Sequence, residues 1–232
     1  MRRRGYARLP DEGELPSAYI HDVPSRIWHW VNALCIVVLA VTGYLIGTPL
    51  PSAAGDTSSL YVMGWIRFAH LATGQVFAVA FLARATWAWA GGGYAGQLFL
   101  PAIWRRSWSD GFVEQCRLAV FGSPRPPRYL GLNPAAGSAI FVLFVVPAVI
   151  VILTGFGMLA EVKGHGSWTH LAFGWMTTLF GNTLDLHLVH RLCLWALLCF
   201  VAMHVVMMVD EDVTGRQSVV STMLSGWRSF RP

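Results

Sequence analysis

Apolar residues dominate four stretches of this chain, roughly 27–47, 65–90, 138–159 and 186–209, and polar or Gly/Pro-rich segments separate them. Each stretch reaches the length of about 20 apolar residues that carries a helix across a bilayer. Helices are the expected form, because an open strand in lipid leaves backbone N–H and C=O groups unpaired. The pattern predicts an all-α, integral membrane four-helix bundle, a single domain over residues 1–232 with a polar tail at 210–232. The 48–64 connection is short and punctuated by Pro and Gly. Within 91–137, SWSDGFVEQCRLAVFG predicts an amphipathic helix that PRPPRYLGLNP then breaks. In 160–185, SWTHLAFGWMTTLFGN predicts a helix lying in the interface. No internal repeat and no low-complexity tract is apparent.

Composition sharpens the class. Hydrophobic residues make up 55% of the 232 residues and charged ones only 12%, about half the share usual in soluble domains. Eleven Trp and six Tyr suit a protein with two membrane–water interfaces. Basic residues set the orientation. The segments 1–26, 91–137 and 210–232 carry thirteen Arg (2, 3, 4, 8, 26, 105, 106, 117, 125, 128, 216, 228, 231), whereas 48–64 and 160–185 carry only Lys163. The positive-inside rule therefore puts both termini and the middle connection in the cytoplasm. The net charge of +5 reports this topology and gives no reason to expect nucleic acid as a partner. The first span follows a basic segment and lacks a small-residue cleavage motif, so it is expected to be retained. Cys35, Cys116, Cys193 and Cys199 form neither CxxC nor CxxCH, which argues against zinc, a redox dithiol and covalent haem attachment.

The histidines carry the chemistry. His190 and His204 are fourteen residues apart in the fourth span, a spacing that leaves about 40° of azimuth and about 21 Å of rise on a helix. They share one face at two depths. The alternating direction of the spans then puts His29 at the cytoplasmic depth of His204, and His70 at the outer depth of His190. Two facing imidazoles at one level suit a six-coordinate haem iron with no open position, which is an electron carrier. The expectation is two haem b groups, one held by His29 and His204, the other by His70 and His190. Gly43 lies on the His29 face at the outer level, where a missing side chain leaves room for a porphyrin. Gly74 follows His70 by one turn. Arg84 falls on the His70 face at the inner level, and Arg67 and Arg191 flank the outer pair; membrane arginines need partners, and haem propionates qualify. Each feature alone has an ordinary reading: histidines at span ends suit the interface, glycines suit close helix packing, and arginines snorkel. The joint match of face and depth favours the haem reading. His187 is about 100° off the stripe and is expected at the rim with Asp185, while His21, His165 and His170 fall outside the spans.

RIWHWVNA, MGWIRFAHLATG, DLHLVHRL and the tail EDVTGRQSVVSTMLSGWR together resemble the cytochrome b subunits of membrane-bound nickel–iron hydrogenases, over nearly the whole chain. The helical scaffold is shared with formate dehydrogenase b subunits, and the tail favours the hydrogenase branch. The resemblance implies axial ligands at His29, His70, His190 and His204 in a multi-pass protein of the bacterial inner membrane. It implies a periplasmic iron–sulfur small subunit and a large subunit as partners, with electrons passing to quinone in a respiratory chain. It implies no hydrogen-activating site in this chain. Related b subunits place quinone by the inner haem, which suggests Asn133 and Gly137 in LNPAAG; a plain helix cap accounts for the same residues equally well. Other readings are a formate dehydrogenase subunit or stand-alone cytochrome b, and, from another class, a non-redox anchor or proton-relay transporter.

Overall fold

A computed structural model describes residues 17–50, 61–91, 94–99, 106–121, 129, 131–213 and 218–229. Arg2, Arg3, Arg4, Arg8, Arg105, Arg125, Arg128, Arg216 and Arg231, on which much of the expected orientation rests, lie outside the described residues. Among the described residues, four helices are long and apolar enough to cross a membrane: α1 (Val23–Gly47), α2 (Val62–Ala90), a composite third span (Pro134–Lys163) and α8 (Thr183–Val213). All four extend beyond the apolar stretches read from the sequence, and at the heads of three of them a polar cap that hydropathy ignores sets the end. Asp22 caps α1, accepting from the Ser25 backbone N–H at 3.1 Å, with Pro24 in the first turn. Asn133 caps the third span, accepting from the Ala136 N–H at 2.7 Å. At the head of α8 the Asn182 side chain accepts from the Asp185 N–H at 2.8 Å, and its amide donates to Asp185 Oδ2 at 2.8 Å. Gly181 immediately before has φ +77°, a left-handed turn that suits glycine.

The third span consists of α4 (Pro134–Ile140), a π turn (Phe141–Val145) and α5 (Val146–Lys163). The wide turn has a local cause. Pro147 brings no N–H and its ring would strike the carbonyl four residues back, so the ladder widens and Val146 N–H reaches Phe141 C=O.

Between 17% and 22% of the apolar window of each span is buried within the protein. The remaining apolar side chains, such as Leu34, Val79 and Leu192, face outward. In water such a surface would aggregate; in lipid it is the natural exterior. What is buried joins the spans at mid-height: Cys35 and Ile36 from α1, Phe77 and Phe81 from α2, Phe144, Val145 and Ala148 from the third span, and Leu197 from α8. Packing is strongest within two hairpins, α1 with α2 and α5 with α8.

The amphipathic helix expected in the middle connection is α3 (Arg106–Phe121). The expected interfacial helix is two short pieces, α6 (Trp168–Phe173) and α7 (Trp175–Phe180). They sit close on the third span, where a Cβ at Gly157 would stand 2.9 Å from Met176 Cβ.

The tail folds back beneath α1. β1 (Ala18–Tyr19) pairs antiparallel with β2 (Trp227–Arg228), so the segment before α1 and the segment near 227–228 meet at one end of the bundle. The short helix α9 (Val219–Ser225) receives hydrogen bonds from α1: Arg26 Nη1 donates to Leu224 C=O and Trp30 Nε1 to Met223 C=O, the latter at 3.2 Å. Arg228 pairs with Glu211 at 2.7 Å. His21 is packed into this clamp. Burial, then the nearby Arg228 charge, push its pKa down from 6.5 to about 4. The unfolded segment therefore takes up a proton that the folded clamp refuses. Clamp stability is expected to fall as pH drops from about 6.5 to about 4 and to level off below. Proteolytic cleavage around 218–229 in detergent should accelerate over that window, and a pH-independent rate would contradict the assignment.

Candidate functional site

The structure brings together the histidines that spacing had paired. The ring centroids of His29 and His204 are 6.5 Å apart with planes at 52°. Those of His70 and His190 are 6.4 Å apart with planes at 65°. Each pair takes one ring from the α1–α2 hairpin and one from α8. Leu197 lies seven residues from both His190 and His204, so the buried mid-height cluster separates the two levels by about 10 Å on either side.

The separations distinguish two arrangements. Imidazoles hydrogen-bonded directly to one another would have centroids about 5 Å apart. Imidazoles on opposite sides of one metal ion, with bonds of about 2.0–2.1 Å and about 1.1 Å from nitrogen to ring centre, would have centroids about 6.3 Å apart. Both observed pairs match the second. Among the described residues no group of three or more His, Cys, Asp or Glu could hold a metal ion. Each pair therefore supplies two donors, and further ligands would have to come with the metal. A porphyrin brings four.

The rings of the pair remote from the termini are held in detail. His70 Nδ1 is 2.9 Å from Thr42 Oγ1, and His190 Nδ1 is 2.9 Å from Thr154 Oγ1. Each ring also lies against a glycine backbone. A Cβ on Gly43 would stand 3.2 Å from His70 Cε1, and one on Gly155 would stand 3.2 Å from His190 Cε1. Thr42, Thr154 and Gly155 escaped the sequence reading. The signal was present: Thr-Gly followed by an aromatic residue occurs once in α1 (42–44) and once in the third span (154–156).

The other pair has a different setting. His204 stacks on Phe200 at 5.6 Å and His29 meets Trp30 edge-on at 5.1 Å. His29 Nδ1 is buried without a hydrogen-bond partner among the described residues.

Arg84 is buried, 7% exposed, at this same end. Its Nη2 donates to Ala95 C=O at 2.8 Å, and its guanidinium lies over the rings of Trp28 and Phe99 at 5.5 and 5.7 Å. Nε and Nη1 have no partner among the described residues. Asp22 faces it from the head of α1 and accepts from Trp87 Nε1 at 2.7 Å. Hydrogen bonds from Ser25 and Trp87 hold the Asp22 carboxyl below its usual range against the opposing effect of burial, the largest single influence.

The remaining sequence candidates fall in several places. Gly74 has only Leu39 Cδ2 near its would-be Cβ, at 3.9 Å. Arg191 is exposed, with its guanidinium beside Gly47, 3.5 Å from a would-be Cβ there, and Arg67 is exposed on α2. His187 is exposed at the rim, and His165 and His170 contact one another at 4.2 Å. Asn133 spends Oδ1 on the cap of α4, and Gly137 is buried one turn later.

Comparison with known proteins places this arrangement. The pattern of the prokaryotic cytochrome b561 family matches residues 20–226. The chain is 46% identical over 215 residues to the probable Ni/Fe-hydrogenase B-type cytochrome subunit of Azotobacter vinelandii, covering 93% of this chain and 90% of that protein. It is 44% identical to the protein of the same name in Cupriavidus necator, covering 95% and 93%. Identity is 40% to the probable Ni/Fe-hydrogenase 1 B-type cytochrome subunit of Escherichia coli K12, covering 93% and 92%. Four membrane-spanning helices with histidine pairs at two levels, and this likeness along almost the full length, identify the chain as a member of the prokaryotic cytochrome b561 family, akin to the b-type cytochrome subunits of Ni/Fe hydrogenases.

Proposed function

We propose that this chain is a di-haem b electron-transfer subunit that anchors a periplasmic nickel–iron hydrogenase and passes its electrons to quinone. The observation that carries the reading is the pair of 6.4 and 6.5 Å imidazole separations, one at each end of the bundle. Haem b, when bound, supplies a one-electron carrier at each level. His70 and His190 would be the axial ligands of the outer group, His29 and His204 those of the inner one. Gly43 keeps the α1 face low where the His70 ring seats, and Gly74, one turn after His70, leaves space there that a small side chain could share. The unpartnered Nε and Nη1 of buried Arg84 suit a propionate carboxylate at the inner level. Arg67 and Arg191 stand exposed at the outer level, where propionates could meet solvent-facing charge.

With the termini in the cytoplasm, the outer pair faces the hydrogenase small subunit and its iron–sulfur clusters, and the large subunit lies beyond. Asn133 and Gly137 fall on the cytoplasmic side, where a quinone would take up electrons and protons. With Oδ1 engaged in the cap, the Asn133 amide nitrogen is the group left to donate to a quinone carbonyl. Proton uptake on that side, with H2 releasing protons outside, makes turnover generate a membrane potential.

The test is a reduced-minus-oxidised spectrum with haem quantitation on the complex purified through this chain. Two haem b per chain, with hydrogenase subunits co-purifying, is the expected result. A chain without dithionite-reducible b-type bands would overturn the reading, and co-purification with a different dehydrogenase would change the donor.

A further inference from the structure

The two helix hairpins present one device twice, and only at the outer end. Thr42 is buried in α1 and Thr154 in α5. The Thr42 hydroxyl donates to Val38 C=O at 2.6 Å, and that of Thr154 to Ile150 C=O at 2.7 Å. A hydroxyl has one proton, so each threonine oxygen meets its histidine only as an acceptor. The Leu39 and Val151 carbonyls also lie within reach of the same hydroxyls, at 3.4 and 3.2 Å. Helix carbonyls can only accept, so they too draw the hydroxyl proton toward the helix. This arrangement favours the proton on Nδ1 of both rings and leaves Nε2 as the bare nitrogen. Gly43 and Gly155, next in sequence to the threonines, let each ring close on the helix backbone at the distance this bond requires.

Among the described residues no such acceptor serves the inner pair. His29 Nδ1 is buried and unpartnered among the described residues, and His204 rests on the Phe200 ring. An Nδ1–H bonded to an acceptor makes its imidazole a stronger electron donor through Nε2, which favours the more oxidised metal. An imidazole without that bond donates less.

We propose that Thr42 and Thr154 are positioning residues that lock the outer axial histidines as Nδ1–H tautomers and lower the midpoint potential of the outer haem below that of the inner one. The inference rests on the bis-histidine reading. The chain thus builds a downhill step for electrons travelling from the hydrogenase side to the quinone side, using two hydroxyl groups and no change of ligand type. The correspondence between Leu39–Thr42–Gly43 and Val151–Thr154–Gly155 also makes the outer site the pseudo-symmetric one, whereas the inner site draws on α1 and α8 with no counterpart.

The experiment is a spectroelectrochemical titration of the purified intact complex, comparing wild type with Thr42→Val, Thr154→Val and the hydroxyl-retaining Thr42→Ser and Thr154→Ser. Valine matches threonine in shape and removes the hydroxyl, its acceptor oxygen together with its bond to the helix carbonyl. The expected result is two haems in every variant, with the lower midpoint potential shifted upward in each valine variant, further in the double variant, and restored by serine. The higher potential stays put. Alanine at the same positions gives a second deletion of the hydroxyl, read the same way where valine perturbs folding. A shift confined to the higher-potential haem, or two haems with neither potential moved, would overturn the proposal while leaving the bis-histidine reading intact. A wild-type complex without two b-type haems would overturn both.

Discussion

Replacing His70 or His190 with alanine is expected to reduce haem content from two per chain to about one, with the His29–His204 site still occupied. Removing either ring would leave one imidazole where the geometry provides two, 6.4 Å apart. It also strands the buried acceptor that the lost ring had satisfied, Thr42 for His70 and Thr154 for His190, a further cost of about 1–3 kcal/mol. The damage should stay local. The mid-height cluster of Phe77, Phe81, Phe144 and Leu197 stands between the levels, and sites separated by more than about 10 Å behave independently. His29→Ala or His204→Ala should give the mirror result, one haem retained at the outer site with the lower potential. His187→Ala should retain both, because that ring is exposed at the rim. Haem quantitation together with the redox titration reads all of these. Two haems surviving in His70→Ala and in His190→Ala would sink the pairing.

The spans and the histidine pairs were legible in the sequence for the same reason: both are periodic over long distances. An apolar run needs no partner to be recognised, and a fourteen-residue interval on a straight helix fixes face and depth together. What escaped was short-range and polar. Thr42 and Thr154 look like ordinary threonines bonding back to their own helices, which they also do. Their role appears only when another helix brings a histidine to them, from 28 and 36 residues away in sequence. The tail was recognisable as distinctive, but nothing in its pattern showed that it would pair with Ala18–Tyr19 and cap α1. Two-residue strands and a seven-residue helix carry almost no periodic signal; their stability comes from Arg26, Trp30 and Arg228 reaching across. His21, read as lying outside the first span, is half-buried by that same clamp. Arg84 was legible by depth, yet its engagement with Ala95 C=O depends on the turn after α2, which hydropathy does not describe.

Valine at Gly43 or Gly155 is expected to empty the outer site, whereas alanine at Gly74 should leave it filled. The first Cβ atom alone would stand 3.2 Å from the imidazole Cε1 at either position, with Nδ1 at 3.7 Å from Gly43 and 3.8 Å from Gly155. That is tighter than ordinary packing, and valine adds two more carbons beyond it. Overpacking a filled interior costs about 1–3 kcal/mol, which the bundle as a whole can absorb. The ligand cannot, because a binding constellation tolerates displacements of only about 0.5 Å. A ring pushed off its helix also loses the bond to the neighbouring threonine, so tautomer and position fail together. Gly74 offers the contrast: its would-be Cβ meets only Leu39 Cδ2 at 3.9 Å, an ordinary contact. If membrane glycines here served only to let helices approach, valine at Gly43 or Gly155 would lower thermal stability without selecting between haems. If they make room for imidazoles, those two variants lose the lower-potential haem selectively while the higher-potential one keeps its spectrum. Loss of both haems in parallel, or of neither, would reject the second account.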